Sequence, residues 1–331
     1  MPARPDIAFQ ALQPEDILGA TDSVGQRSDG RLLALNSYEN RVYRVGMEDG
    51  PPLVAKFYRP GRWSNEQILE EHEFACELAA AEIPVVAPLT LDGATLHEFG
   101  PFRFALYPCH GGHPPPLDDT ALLRQLGRLV ARIHELGARR AFEYRPSITV
   151  TDYGTASRDY LLAEGFIPAD IEAAYTSICE HLLTAVEQCY ARAGEPQAIR
   201  VHGDFHPGNV LVLDTRVHIV DLDDARMGPR IQDLWMLLSG DRDEQMPQLA
   251  EVLAGYSEFA NFDARELHLV EALRTLRIMH YAAWLARRWQ DPAFPHAFPW
   301  FNTRRYWDEH VQSLKEQLSL MQEPPLDWLP A

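Results

Sequence analysis

Three polar side chains near the middle of the chain have the types and the spacing that phosphoryl transfer requires. Asp204 lies in the segment 202–209, which reads His-Gly-Asp-Phe-His-Pro-Gly-Asn, and Asn209 follows it by five residues. Asp221 comes after the next short apolar runs. Transfer from Mg-ATP needs one group that orients a hydroxyl nucleophile and two groups that hold the metal against the phosphates. The pattern therefore predicts a catalytic centre with Asp204 as the base and with Asn209 and Asp221 as magnesium ligands.

The strands beside these residues decide whether Asn209 and Asp221 can share one metal ion. Two apolar runs, 210–213 and 217–220, read as buried strands joined by a polar turn. A three-residue loop would pair Asn209 with Asp221 on one face, whereas a two-residue loop would place Asn209 opposite Val220. The metal hypothesis favours the longer loop, or else a strong twist at the strand ends.

Asp221 is one of three carboxylates that follow the second run. It lies at the strand end, where a ligand for a hard cation is usually carried, and one or two carboxylates commonly hold magnesium together with phosphate oxygens. We therefore assign the metal to Asp221. Asp223 is the alternative ligand, and Asp224 is expected to cap or solvate the next turn.

Upstream, a lysine interrupts an apolar strand. Lys56 lies in the segment 53–58, Leu-Val-Ala-Lys-Phe-Tyr, on the face that it shares with Val54 and Tyr58. Such a lysine either keeps an edge strand soluble or contacts the α- and β-phosphates of ATP. The second interpretation requires a carboxylate from the following helix to fix the ammonium group.

A helix that is predicted over residues 64–82 offers such a carboxylate. Ser64 is a plausible N-cap, Gln67 completes a capping box, and apolar residues recur at helical spacing. Three glutamates of this helix are candidates for the ion pair with Lys56: Glu70, Glu71 and Glu73.

The motif His-Gly-Asp, four further residues, Asn and a strand ending in Asp resembles the aminoglycoside phosphotransferase and choline kinase branch of protein-kinase-like proteins. Further segments resemble the stress response kinase A family, bacterial serine/threonine kinases of this fold: 35–43, 54–60, 68–72, 220–226 and 232–238. The similarity runs from about residue 6 to the C-terminus. It implies an α+β, bilobal protein-kinase-like fold, with an antiparallel sheet and a helix in the small N-terminal lobe and a larger, mostly helical C-terminal lobe.

The resemblance also assigns roles to single residues. Counting back from the turn at 83–85, as in related kinases, selects Glu71 as the partner of Lys56, with Glu70 as the alternative. The resemblance implies that Ser37 meets the ATP phosphates, although its loop has no glycine and also fits an ordinary polar turn. Asp233 is expected to brace the catalytic loop.

The lobes and the acceptor side can be placed only coarsely. We expect a nucleotide-binding lobe over 1–107, a hinge rich in Gly and Pro over 108–117, and a catalytic and acceptor-binding lobe over 118–331. His134 is expected to pack or hydrogen-bond rather than to catalyse. The basic and aromatic helix 271–289 either lines the acceptor site or packs with a charged outer face.

Composition excludes some partners. The formal net charge of −18, from 48 acidic and 30 basic side chains, argues against nucleic-acid binding, which needs concentrated positive charge. The anionic nucleotide must then be met by Mg²⁺ and a few local cations. Four cysteines without metal-ligand spacing and the lack of a signal core or membrane-spanning run indicate a cytoplasmic protein, away from membranes. We also expect a monomer, although no pattern in the sequence fixes the oligomeric state.

Three alternative functions compete with a protein kinase. A small-molecule kinase that acts on an amino alcohol, a sugar or an aminoglycoside would share every motif above. A metal-dependent hydrolase could use the alternating residues His202, Asp204 and His206 as ligands. A scaffold of kinase fold without activity is the third, although all the polar groups that activity needs are present.

Overall fold

The computed structural model describes residue 9 and residues 11–328, which form two compact units. The chain enters each unit more than once. The first unit comprises Met1–Pro115, Phe142–Arg145 and His206–Ala225, and the second comprises Pro116–Ala141, Pro146–Phe205 and Arg226–Ala331. From sequence, residues 206–225 are assigned to the C-terminal lobe. By contacts they belong with the first unit, because Ile219 N donates to Pro84 O at 2.8 Å and Val86 N donates to Ile219 O at 2.8 Å.

The first unit is built on a five-stranded antiparallel sheet in the order β1-β2-β3-β5-β4. Its strands and the helices beside it follow one another along the chain. These elements are α1 (Pro14–Ser23), β1 (Ser28–Ala34), β2 (Arg41–Met47), β3 (Leu53–Phe57), α2 (Asn65–Ala80), β4 (His97–Phe99) and β5 (Phe102–Pro108). The predicted capping box of α2 is confirmed, since Ser64 and Gln67 exchange hydrogen bonds.

The two faces of the sheet have different neighbours. One face packs against α1, where Ile17 and Ala20 join a core that includes Ala55, Phe57 and Phe104. On the other face, Ile68 of α2 packs on Tyr58 and Ala105. Lys56 alternates with Ala55 and Phe57 along β3, so it lies on the α2 face of the sheet.

Lys56 does not lie on an edge strand, so that interpretation of its role is wrong. β3 is the middle strand of the five, and Lys56 is paired with Val42 on one side and with Ala105 on the other. Its side chain is buried. A buried lysine in a central strand must be paired with carboxylates, because an isolated ammonium group cannot leave water at an acceptable cost.

The hairpin after Asn209 has a two-residue loop, so the expectation of a three-residue loop is wrong. β7 (Val210–Leu213) pairs with β8 (Arg216–Ile219) so that Leu213 lies opposite Arg216. The tight turn is possible because Asp214 adopts a left-handed conformation with φ of 55°, which aspartate tolerates better than most residues. Val220 N therefore donates to Asn209 O at 3.0 Å, and Asp221 follows one residue beyond this pair.

The second unit is mostly helical, and the α+β composition predicted from sequence is confirmed. Two short strands, β6 (Ile199–Val201) and β9 (Arg226–Gly228), pair with each other. The helices are α3 (Thr120–Gly137), α4 (Ala156–Ala163), α5 (Glu172–Ala193), α6 (Arg242–Tyr256), α7 (Val270–Arg287), α8 (Ala293–Ala297) and α9 (Arg304–Leu320). Around Asp233 the chain forms two 3₁₀ turns, Arg230–Asp233 and Trp235–Leu237.

Two glycines let α3 and α6 approach closely. A Cβ on Gly127 would lie 2.0 Å from Val252 O, and a Cβ on Gly255 would lie 1.9 Å from Arg124 O. Both distances are far below van der Waals contact, so only glycine fits at these crossings. The close packing fixes α3, which carries His134 toward the loop that contains Asp204.

Candidate functional site

Lys56 lies among three carboxylates in the first unit. Its Nζ atom is 3.0 Å from Asp221 Oδ1, 3.1 Å from Asp223 Oδ1 and 3.9 Å from Glu71 Oε1. Burial lowers the pKa of Lys56, but the three carboxylates outweigh it and hold the pKa well above its usual value. The ammonium group therefore stays charged, and it stands beside more negative charge than it can neutralise alone.

Burial separates the three candidate glutamates of α2. Glu71 is buried, and its second carboxylate oxygen, Oε2, lies 3.8 Å from Arg145. Glu70 accepts hydrogen bonds from the backbone N–H groups of residues 143, 144 and 145 instead. Glu73 is exposed. Of the three, Glu71 is the one that the structure places next to Lys56.

The pKa of Glu71 predicts a pH-dependent pair. Burial raises this pKa to about 7, while Lys56 opposes the shift. The carboxyl group is therefore neutral below pH 7 and charged above it, so the Lys56–Glu71 pair strengthens as pH rises. Since the folded pKa exceeds the unfolded value of 4.5, the group favours folding at low pH, and this contribution is lost as pH rises through 7.

We expect Glu71→Gln and Glu70→Gln to have opposite effects on the stability of the fold, and only Glu71→Gln to raise the KM for ATP. Glu71→Gln should raise the KM for ATP about 10-fold or more above pH 7, because Lys56 loses its partner. The same change should stabilise the fold by about 1–3 kcal/mol at pH 8, since it removes a buried charge. Glu70→Gln should leave the KM nearly unchanged and should destabilise by about 1–3 kcal/mol through its weakened bonds to backbone amides. ATP kinetics and urea unfolding at pH 6 and 8 measure both; a Glu70 variant with the larger KM effect would contradict the assignment.

Asp221 and Asp223 differ in exposure, which separates the candidate metal ligands. The Asp221 side chain is 53 % exposed, and its backbone is left-handed with φ of 60°. The Asp223 side chain is only 5 % exposed and lies between Lys56 and Arg62. Burial alone would raise the pKa of Asp223, but Arg62 and Lys56 outweigh it and lower the pKa to about 2. Asp223 thus neutralises buried cations, and Asp221 presents its carboxylate to solvent.

The left-handed residue also bears on the register of the hairpin. With a two-residue loop, Asp221 lies outside the strand pairing, so its direction is set by its own backbone and not by the pleat of the strand. Asn209 ends a 3₁₀ turn, Pro207–Asn209, just before β7. An amide oxygen and a carboxylate oxygen are the kind of ligand that Mg²⁺ takes from proteins, and the Asp221 carboxylate is accessible to solvent. The donor set therefore fits Mg²⁺.

Arginines hold the loops that border this cluster, and reasoning from sequence missed them. Arg145 donates to the backbone oxygens of residues 222, 223 and 225, and its guanidinium lies 4.4 Å from the ring centre of Trp63. Arg62 donates to both Asp223 and Asp224. The only sequence signal for these contacts was an excess of carboxylates at 221–224, which needs nearby cations that local patterns cannot identify.

The glycine-free loop that contains Ser37 is fixed by Arg59. The Arg59 guanidinium donates to Glu39 O at 2.9 Å and to Tyr38 O at 3.2 Å, and its backbone N–H donates to Asn40 Oδ1 at 3.1 Å. Ser37 itself is half-buried. The Arg59 side chain thus fixes the conformation of this loop, at a place where the resemblance would lead one to expect glycines.

A buried polar network lies behind Lys56. His72 Nε2 is 2.6 Å from Tyr58 Oη, His72 Nδ1 is 2.9 Å from Thr95 Oγ1, and Tyr58 Oη is 2.9 Å from Tyr107 Oη. Burial, with smaller contributions from the nearby cations, lowers the pKa of His72 to about 3. The imidazole is therefore neutral in the folded protein throughout the physiological range.

This network predicts a loss of stability in acid. The unfolded chain protonates His72 below about pH 6.5, whereas the folded chain does not until about pH 3, so its stabilising contribution falls as pH drops from 6.5. We expect that contribution to fall by about 2 kcal/mol between pH 7 and pH 5. Urea unfolding of the wild type and of His72→Gln at both pH values tests this. Equal pH dependence in the two proteins would show that His72 does not contribute.

In the second unit, Asp204 forms an ion pair with Arg277 of α7. Asp204 N donates to His202 Nδ1 at 3.4 Å, and His202 is buried against Phe205 with the ring centres 5.3 Å apart. Sequence reasoning placed this arginine only within the basic and aromatic helix 271–289. Its contact with Asp204 could not be inferred from a separation of 73 residues.

Asp233 supports the loop that carries Asp204. Its carboxylate accepts from His202 N at 2.7 Å and from Gly203 N at 2.8 Å, and it lies 3.2 Å from His134 Nε2. The other ring nitrogen of His134 is 3.0 Å from Tyr256 Oη. The expectation that His134 packs and hydrogen-bonds is confirmed, and the carboxylate of Asp233 holds the backbone just before Asp204.

In residue 9 and residues 11–328, no group of three or more His, Cys, Asp or Glu side chains is arranged to hold a metal ion. Asn209 and Asp221, one amide and one carboxylate, form a smaller set of ligands than such a group. Among the same residues, no helix has both the length and the apolar character that a membrane crossing requires.

Comparisons with known proteins agree with one another. The sequence pattern of the phosphotransferase enzyme family matches residues 31–270. Stress response kinase A of Salmonella choleraesuis (strain SC-B67) is 44 % identical over 97 % of both chains, and the serine/threonine protein kinase RdoA of Salmonella typhimurium (strain LT2) has the same identity and coverage. A solved structure of a microcompartment-associated aminopropanol kinase matches with a TM-score of 0.68 at 17 % identity, covering 92 % of this chain and 95 % of its own. The resemblance noted from sequence is confirmed.

Proposed function

Because the chain belongs to the phosphotransferase enzyme family and is an ATP-dependent kinase, we propose that it phosphorylates serine or threonine side chains of proteins. The observation that carries this proposal is the near full-length similarity to a relative named as a serine/threonine protein kinase. The names of other relatives connect this group to a stress response. Lys56 and Asp204 are side chains of the types that such a reaction uses, a cation for the phosphates and a carboxylate for the hydroxyl group.

The first unit supplies the groups for the nucleotide. Lys56, fixed by Glu71, contacts the α- and β-phosphates, and Ser37 contacts the phosphates from the loop that Arg59 holds. Asn209 and Asp221 would hold Mg²⁺. When bound, the cation neutralises the negative charge of the phosphates.

The second unit supplies the group for the acceptor. Asp204 accepts a hydrogen bond from the acceptor hydroxyl and orients its oxygen toward the γ-phosphate, and it takes the proton as the new P–O bond forms. Asp233 keeps the Asp204 loop in place through its bonds to the backbone of residues 202 and 203. It is a positioning residue, since it is not expected to touch substrate.

Incubation of the purified protein with γ-labelled ATP and Mg²⁺, alone and with a generic protein substrate, tests this function. We expect labelled serine or threonine in protein, and no label with the variant Asp204→Asn. ATP turnover stimulated only by small hydroxyl compounds, without any phosphoprotein, would instead support a small-molecule kinase. Failure to bind Mg-ATP in calorimetry would leave the scaffold hypothesis.

The state of the thiols supports the proposed compartment. Cys76, Cys109, Cys179 and Cys189 are all free. Free thiols persist in a reducing compartment, which supports a cytoplasmic location. We therefore expect full activity in the presence of a reductant.

A further inference from the structure

Helix α7 presents a row of arginine and aromatic side chains on its accessible face. Accessible residues recur every three or four positions along this helix, and most of the residues between them are buried. Residues at this spacing share one face of a helix. We call the following five residues the basic–aromatic row: Arg274, Arg277, Tyr281, Trp284 and Arg288.

The charge of this segment is opposite to that of the whole chain. Residues 270–288 contain four arginines and one glutamate, a formal charge of +3, within a protein of net charge −18. The glutamate, Glu271, is already paired with Arg274 at 2.7 Å. At physiological ionic strength charges are screened within about 8 Å, so a ligand on this face senses these arginines and the carboxylates paired with them, Glu271 and Asp204, more than the other carboxylates of the chain.

The row is connected to the proposed catalytic base. Arg277, whose side chain is 43 % exposed, forms the ion pair with Asp204. From there the row continues toward the end of the helix. Tyr281 stacks on Trp284 with ring centres 5.5 Å apart, and the guanidinium carbon of Arg288 lies 5.5 Å from a ring centre of Trp284. Tyr281 is exposed.

The dimensions of the row are those of a short stretch of polypeptide. Arg288 lies eleven positions after Arg277, which corresponds to about 16 Å along a helix. An extended chain covers that distance in about five residues. A small phosphorylated or carboxylated metabolite bound at Arg277 would not reach Arg288, and a cationic amine would have to place its charge beside Arg277.

We propose that the basic–aromatic row binds the acceptor protein through an acidic segment. A serine or threonine of that protein then receives the phosphoryl group, with Asp204 as the base. Carboxylates of that segment pair with Arg288 and with the exposed part of Arg277, and its apolar side chains lie against Tyr281 and Trp284. This inference rests on the protein kinase function proposed above and names the class of substrate. The bond that forms is between the γ-phosphorus and the hydroxyl oxygen, ADP leaves, and Asp204 receives the proton.

Serine peptides that differ only in charge test the proposal on the unmodified protein. Three peptides carry four glutamates, glutamines or lysines on one side of the serine, and a second set carries them on the other side. Phosphoryl transfer from Mg-ATP is measured for each. We expect kcat/KM for the better glutamate peptide to exceed that of its glutamine counterpart by about tenfold, the effect of a few accessible ion pairs. The lysine peptides should be the poorest substrates.

A charge reversal locates the effect. Arg288→Glu should lower kcat/KM for the glutamate peptide and raise it for the lysine peptide. The matched control is Arg305→Glu on α9, because Arg305 is 87 % exposed and is paired only locally, with Glu309 at 2.7 Å. This control should leave both values unchanged.

The possible outcomes separate this inference from the proposed function. Equal kcat/KM for glutamate and lysine peptides, or a preference for lysine, overturns the inference while the kinase function stands. Equal effects of Arg288→Glu and Arg305→Glu also overturn it, since the preference would then not depend on α7. Absence of transfer to every peptide and protein overturns both the inference and the protein kinase function.

Discussion

Replacement of Asp204 by asparagine is expected to lower phosphoryl transfer by about 10²–10⁴-fold, the usual contribution of a positioned acid–base group. Asparagine keeps the volume of the side chain but can neither accept the proton nor keep the charged pair with Arg277. Arg277 is partly exposed, so water can solvate its guanidinium when the carboxylate is gone. The free energy of unfolding should therefore change by less than about 1 kcal/mol.

The measurements are single-turnover transfer to protein and urea unfolding of the same preparation. Arg277→Gln is a useful companion, because it leaves Asp204 in place and removes only the neighbouring charge. A protein with Asp204→Asn that turns over at the rate of the wild type would exclude Asp204 as the base.

Asp221→Asn should mainly lower activity, whereas Asp223→Asn should mainly lower stability. Asp221→Asn should lower turnover by about 10²–10³-fold, the range for loss of one group that stabilises developing charge. It should cost less stability than Asp223→Asn, because half of the Asp221 side chain is exposed and Asp223 still pairs with Lys56. Asp223→Asn should destabilise the fold by about 3–5 kcal/mol, since Lys56 and Arg62 would keep buried charges with less compensation.

Magnesium titration of ATP binding and thermal unfolding distinguish the two variants. The pair is a matched test, because the same atom replacement is made two residues apart in one short segment. If Asp223→Asn abolished magnesium dependence while it left stability intact, Asp223 and not Asp221 would be the ligand.

Local patterns predicted much of the first unit. Short apolar runs predicted the strands, and Ser64 with Gln67 predicted the start of α2, because both signals depend on residues that are close in sequence. The predicted register of the β7–β8 hairpin was wrong, because the register depends on whether Asp214 takes a left-handed conformation. Sequence pattern alone does not decide that.

Contacts between distant residues were the main omission. Arg145 reaches residues 222–225 from about 80 positions away, and Arg277 reaches Asp204 from 73 positions away. An arginine in a sequence is compatible with many carboxylates, so the fold must be known before a partner can be chosen. The resemblance selected Glu71 among three glutamates, but only burial shows why Glu70 cannot serve the same purpose.

The attachment of Glu70 has a consequence for how this enzyme can be controlled. Its carboxylate holds three consecutive backbone amides, while Arg145, within the same segment, reaches Glu71 from the inner side. Helix α2 is thus fastened to this segment at neighbouring positions on its surface, beside the Lys56–Glu71 ion pair. Swinging this helix outward would break all of these bonds together. We therefore expect on–off regulation, where it exists, to act on access of the substrate and not on displacement of the helix.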